Sequence, residues 1–371
     1  MKRLGCPIGL EVRALTTAYI NRVATAVPPY DVHDAFRRFA QSLFRDDRRG
    51  GLLFRRMADK AQIDHRYSCL APSNMPEGEA VDAERFYTRG EFPDTAARMR
   101  RFEQHAPALA QAAVERLHLG DERGRITHLI ITCCTGFSAP GLDFELIDRC
   151  GLSPSVERTM VGFMGCYAAI NALKLARHIV RSDAAARVLV LNVELCSLHL
   201  KESVELDQVL TFLLFGDGCA ACLVTADPVG TALDSFRAVM VPGTRDLIRW
   251  HVRDFGFDMV LSGQVPATIE DALHDHVAEI LDGADAAAID LWAVHPGGRT
   301  VLDAVERGFT LAPTALAASR DILRRYGNMS SATVMFVLEK LMRTGARGKK
   351  GCAMSFGPGL VAETMLFRTA A

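Results

Sequence analysis

Apolar and polar residues follow one another along this chain in blocks whose period changes. The stretch from Ala18 to Ala26 predicts a strand, and residues 34–44 predict a helix. Residues 51–120 are charged and predict mostly helix, with Arg55, Arg56, Lys60, Arg66, Arg98, Arg100 and Arg101 along them. From residue 128 the pattern alternates. HLIITC (128–133) is a short apolar run of buried-strand type, and TGFSAPGLDFELIDRC is a turn entering a helix. GCYAAINALKLARHIVR (165–181) has helical spacing, whereas RVLVLNVEL (187–195) and CAACLVTA (219–226) are strands apolar on both faces.

The second half repeats the plan. It predicts a helix over 267–281, a strand over 291–295, and helices over 299–308, 313–326 and 331–343. A glycine-framed strand pair, 352–356 and 361–367, closes the chain. Strands alternating with helices predict an α/β fold with a parallel or mixed sheet. With 371 residues and no low-complexity linker, the chain reads as one plan used twice, divided into residues 1–228 and 229–371 and tightly packed.

Composition narrows the classes. Lys+Arg is 43 and Asp+Glu is 44, so no strong field attracts nucleic acid or an anionic membrane. There is no run of about 18 uncharged apolar residues, and the first residues lack a signal-peptide pattern, so a cytoplasmic protein without a membrane span is expected. The ten cysteines are spread thinly, which suits a reduced chain whose thiols are mostly small core hydrophobes. Cys219 and Cys222 form a CxxC, but inside a strand residues three apart point to opposite faces. No metal or other cofactor is therefore expected.

Three residues carry candidate chemistry. Cys166 follows VGFMG and opens a long helix, where the helix dipole and free N–H groups favour thiolate. Gly162 and Gly165 beside it permit a sharp turn. Its plainer alternative is a packed core thiol. His295 ends the apolar strand LWAV and precedes Pro296-Gly297-Gly298, a placement that delivers a side chain to a sheet edge. Its plainer alternative is a satisfied structural histidine. Asn328, in YGNMSSATV, offers neutral N–H donors, or else serves as a turn or cap residue with Ser330 and Ser331. Together a cysteine, a histidine and an asparagine supply a nucleophile and donors for a developing oxyanion.

With their surroundings these residues resemble the thiolase superfamily, specifically the type III polyketide synthases of the chalcone synthase kind. The matching words are VGFMGCYAA, LFGDGCAA, WAVHPGG, YGNMSSATV and SFGPGL, in that order. The resemblance implies a duplicated α/β/α/β/α five-layer core and a homodimer. It implies that Cys166 accepts the starter acyl group, with a His–Cys ion pair keeping the thiolate ready. His295 and Asn328 would bind the malonyl-CoA carbonyl and stabilise the enolate left by decarboxylation. Phe215 would be an aromatic gatekeeper, and Arg56 and Lys60 would hold CoA phosphates, with Leu53 replacing a further lysine of plant members.

Other cavity positions depart from the plant pattern. Cys134 and Thr135 replace a threonine and a serine, while Cys196 and His199 replace two threonines after Glu194. Trp250 replaces a glycine, and Met259 replaces a second gatekeeper phenylalanine. Ala139 stands where a methionine reaches into the partner's cavity. These changes open space and suit an aliphatic guest, as in bacterial alkylresorcinol and alkylpyrone synthases. The expected reaction loads a long-chain fatty acyl starter, from CoA or an acyl-carrier protein. It then extends the chain with malonyl-CoA and closes an alkylresorcinol or alkylpyrone ring. Thr135, Cys196, His199 and Ser330 are candidates to line the region of an activated water for ring closure. Alternative readings are a small-starter synthase making phloroglucinol or a pyrone, a ketoacyl-ACP synthase III-like enzyme, and an inactive thiolase-fold partner subunit.

Overall fold

A computed structural model of the chain describes residues 16–209 and 211–370, without the side chains of residues 206, 207 and 211. Cys6 and the stretch read for a signal peptide lie outside the described residues. Nine strands form one mixed sheet. Across it they run Leu291–Val294, Lys350–Gly357, Val361–Thr369, Thr231–Met240, Tyr19–Ala26, Asp217–Thr225, Val188–Leu195, His128–Cys133 and Glu157–Gly162. The last five make an N-terminal set and the first four a C-terminal set. The sets join where Tyr19 and Ile20 pair with Ala232 and Thr231.

Strand alternation sorts the side chains into three cores. Leu189, Leu191, Val193 and Leu195 face an outer core covered by helices that include His33–Ser42 and Thr95–Glu115, while Val188 and Val190 face a central core. The central core holds the helices Ala168–Ser182 and Thr333–Arg343. On the other strand set Ala353, Met365 and Phe367 face this same centre. Cys352, Met354 and Phe356 face a third core with helices Val265–Asp275 and Arg299–Gly308. Helices thus lie outside, between and outside two strand sets. The CxxC is split as its spacing requires: Cys219 packs in the first core and Cys222 in the central one.

Several elements differ from expectation. Residues 61–94 form turns, isolated bridges and the two-residue strand Tyr67–Ser68 rather than helix. Asp82 organises part of this stretch by accepting the N–H groups of Glu84, Phe86 and Tyr87. The strand Glu157–Gly162 is polar and mostly exposed because it is a sheet edge, and it carries no apolar run to reveal it. The strands Thr231–Met240, Ile248–Arg253 and Gly256–Leu261 were equally illegible, and the expected helix over 267–281 breaks after Asp275.

Candidate active site

Cys166 lies in a 3-10 turn, Gly165–Tyr167, that feeds the central helix Ala168–Ser182. Gly165 has φ +76, and a Cβ there would sit 2.2 Å from Pro358 Cδ, so only glycine lets the cysteine turn pack on the Gly357-Pro358 loop. The neighbouring Phe163 is also left-handed, at φ 57. Such backbone strain outside glycine clusters at working sites.

His295 follows the strand Leu291–Val294, held by its N–H to Met354 O at 2.7 Å. Asn328 is fixed on every side. Its N–H donates to Leu214 O at 2.8 Å, its carbonyl accepts from Gly216 N at 3.0 Å, and Oδ1 accepts from Ser330 N at 2.8 Å. Nδ2 donates to Gly297 O at 3.2 Å, which ties the asparagine turn to the turn after His295. Oδ1 is therefore turned away and the amide N–H groups are turned toward the histidine loop.

These three side chains line one cavity of about 390 Å³. Phe215, Cys134, Thr135, Cys196, His199, Trp250, Met259, Ser330 and Lys60 line it too. Leu261, Val265 and Ile269 extend its apolar wall. Ala139 and Arg56 do not line it. Ala139 is exposed on the turn beside the edge strand, and Arg56 is exposed one helical turn before Lys60. Arg299, not singled out from the sequence, also lines the cavity, and its Nε donates to Lys60 O at 2.7 Å.

Burial governs the electrostatics. It alone pulls the His295 pKa down to about 3, and neither ring nitrogen has a hydrogen-bond partner among the described residues. Burial pushes the Cys166 thiol up to about 12, against a hydrogen bond to Ser330 Oγ at 3.9 Å. No hydrogen bond joins Cys166 to His295. The ion pair expected between them is therefore absent from this geometry: desolvation favours both neutral forms. A neutral imidazole still carries one N–H that is free to donate to a bound carbonyl.

Glu194, whose sequence context carries no chemical signal, is fully buried behind the cavity wall. Its Oε1 accepts from Ser331 Oγ at 2.6 Å, and Oε2 accepts from Cys134 N at 3.0 Å and Thr135 Oγ1 at 2.9 Å. Burial raises its pKa to about 7, opposed by these hydrogen bonds. His199 is also tied down. Nε2 donates to Thr135 O at 2.7 Å, Nδ1 accepts from Phe257 N at 3.2 Å, and the ring stacks on Phe257 at 4.0 Å. Burial lowers its pKa to about 3. His199 is thus a wall residue with no free nitrogen and not an activator of water. Trp250 Nε1 donates to Cys134 O at 2.9 Å, which locks the indole against the wall.

Among the described residues no group of histidines, cysteines and carboxylates is arranged to hold a metal ion, and no helix is long and apolar enough to cross a membrane.

Comparison with known proteins agrees with this architecture. Family models of the chalcone and stilbene synthases match the chain, the N-terminal domain over residues 11–228 and the C-terminal domain over residues 232–371. The chain is 34% identical over 368 residues to a Mycobacterium tuberculosis protein described as alpha-pyrone synthesis polyketide synthase-like Pks18, covering 95% of this chain and 91% of that one. Its structure resembles PKS-I from the brown alga Ectocarpus siliculosus (TM-score 0.84, 26% identity), covering 97% of this chain and 100% of that one. It also resembles the C-terminal type III polyketide synthase domain of Steely1, a type I/III hybrid from Dictyostelium (TM-score 0.87, 24% identity), covering 96% of this chain and 100% of that one. At that last identity the likeness shows the fold.

Proposed function

This chain belongs to the chalcone and stilbene synthase family of type III polyketide synthases, and from that premise we propose that it builds alkylpyrones from long-chain acyl starters. The observation that carries the starter reading is the apolar lining contributed by Cys196, Met259, Leu261, Val265 and Ile269, in one cavity with Cys166. Each methylene buried there contributes about 0.8 kcal/mol, so chain length is selected strongly.

The steps follow from the residues. Cys166 Sγ attacks the starter thioester: the new S–acyl bond forms, the bond to the carrier sulfur breaks, and the thiol proton leaves on that sulfur. Malonyl-CoA then loses carbon dioxide, and the electron pair of the broken C–C bond becomes an enolate. The His295 N–H and the Asn328 Nδ2 amide donate to its oxygen, each worth roughly 3–4 kcal/mol in a dry site. The enolate carbon attacks the Cys166 thioester and expels the sulfur, lengthening the chain by two carbons. The two halves divide this work, residues 1–228 supplying Cys166 and Phe215, residues 229–371 supplying His295 and Asn328.

A pyrone is favoured over a resorcinol by the state of the wall. A resorcinol needs an activated water to hydrolyse the thioester before its carboxyl leaves as carbon dioxide, whereas lactone formation expels the thiol directly and needs no water. Thr135 Oγ1 already serves Glu194 and Leu195 N, and both nitrogens of His199 are taken. The relative described as acting in alpha-pyrone synthesis supports the same choice. The homodimer reading is supported by the edge strand Glu157–Gly162, with Phe137, Met160 and Met164 exposed beside it and Ala139 on the adjoining turn.

The test is product mass spectrometry with malonyl-CoA and acyl-CoAs from two to twenty carbons. Pyrones from long starters are expected, and a turnover maximum at acetyl or coumaroyl would refute the reading.

A further inference from the structure

The helix Arg48–Lys60 buries Gly51, Phe54 and Ala58, and its other face is unusual. Arg48, Arg49, Arg55, Arg56 and Lys60 are exposed, and among the described residues none of their side chains has a hydrogen bond or an ion pair. Cations close by are treated differently: Arg37 pairs with Asp59 and Arg38 with Glu77. Leu52 and Leu53, 51% and 43% exposed, sit among the free cations. Positions 49, 53, 56 and 60 fall on one side of the helix and form a stripe about 16 Å long. The stripe ends at Lys60, which lines the cavity with Met57 and Arg299.

Phosphates of a CoA whose acyl group reaches the cavity need only the Lys60 end. Arg49 lies seven residues before Arg56, about 10 Å back along the surface, with the leucines between. Unpaired arginines interleaved with exposed leucines are what a protein partner with acidic and apolar groups meets best.

We propose that this stripe docks a small acidic acyl-carrier protein, whose tethered thioester enters past Lys60 and is handed to Cys166. The inference rests on the reading of Cys166 as the acyl acceptor. In the transfer, the acyl carbon leaves the sulfur of the carrier's prosthetic arm for Cys166 Sγ. The cysteine proton ends on the carrier thiol, and no redox partner is needed.

The experiment compares palmitoyl-CoA with a palmitoyl-loaded bacterial acyl-carrier protein as donors, reading acylation of the full-length enzyme by intact mass. The variant is Arg49→Glu combined with Leu53→Ser, neither of which touches the cavity. Wild type is expected to accept acyl from both donors, with carrier transfer weakening steeply as salt rises. The variant is expected to lose at least tenfold in kcat/KM for the carrier while staying within twofold for palmitoyl-CoA. No transfer from the carrier to wild type under conditions where the matching acyl-CoA acylates it, or equal losses with both donors, overturns the proposal. Flotation of wild type but not variant with anionic lipid vesicles, with carrier transfer unchanged, also overturns it in favour of a membrane surface. A parallel pair of hexanoyl donors separates the two readings. A carrier-specific loss there, with palmitoyl inert on both donors, keeps the docking stripe and refutes the long-chain starter instead.

Discussion

The Arg66 guanidinium, fully buried, donates from Nη1 to the carbonyl of Phe215 at 3.0 Å. Its Nε donates to His33 Nδ1 at 3.1 Å, and among the described residues no carboxylate forms an ion pair with it. Its stem packs where Cβ atoms at Gly216 and Gly327 would fall, 3.3 and 2.7 Å away. One cation therefore supports both the aromatic residue of the cavity and the turn that presents Asn328. Arg66→Met leaves the Phe215 carbonyl and His33 without a donor, at a cost of about 1–3 kcal/mol. The expected outcome is a lower Tm, and in the surviving folded enzyme a broadened starter profile. An unchanged profile in an acyl-CoA panel would remove Arg66 from control of Phe215.

Cys166 rests as a thiol, pushed to about 12 by burial. Its alkylation by iodoacetamide is expected to rise about tenfold per pH unit between about pH 7 and pH 10, because only the thiolate reacts. A plateau beginning near neutrality would show a standing thiolate–imidazolium pair and refute the neutral resting state.

In the proposed reaction, His295→Ala and Asn328→Ala each remove one donor from the enolate oxygen. Each is expected to slow malonyl-CoA decarboxylation roughly 100- to 1000-fold, measured as carbon dioxide release. Acylation of Cys166 by a starter is expected to survive in both variants, so the two readouts separate chemistry from misfolding.

Met259→Phe refills space that the apolar wall leaves open. The preferred starter is expected to shorten by several methylenes, each worth about 0.8 kcal/mol or roughly fourfold in kcat/KM. An unchanged length optimum in the acyl-CoA panel would place the acyl chain elsewhere.

Glu194 gives a pH signature in stability. Its folded pKa of about 7 exceeds the reference value of 4.5, so the folded state binds the proton more tightly. Stability from this group is complete at low pH and is lost as pH rises from 4.5 to about 7, by roughly 3 kcal/mol. Glu194→Gln keeps the shape and an acceptor for the Cys134 N–H and the Thr135 hydroxyl. The difference in Tm between variant and wild type should grow across that window and stay constant above it. A pH-independent difference would show that Glu194 is ionised throughout.

Much of the fold could be read from local pattern. The buried strands at 188–195 and 217–225 and the helix at 299–308 announce themselves because both faces, or one stripe, are apolar. The strand Glu157–Gly162 did not, since an edge strand with an open face needs no apolar side chains. The sites divide in the same way. Cys166, His295 and Asn328 stand in glycine-rich turns that advertise them. Arg66, Glu194 and Arg299 stand in ordinary surroundings, and their roles come from segments far apart in the chain. Trp250 and His199 were legible as cavity residues, but their hydrogen bonds to Cys134 O, Thr135 O and Phe257 N were not.

The sequence by itself determined the α/β plan, the three residues with the right functional groups, and the apolar character of the wall. These depend on residue type and short-range spacing. Only the tertiary structure decided their charge states and freedom. Desolvation and the identity of each hydrogen-bond partner depend on what packs around a group from distant parts of the chain. That is why the His295 ring is neutral with both nitrogens uncommitted, why the His199 ring is neutral with both engaged, and why Cys166 waits as a thiol.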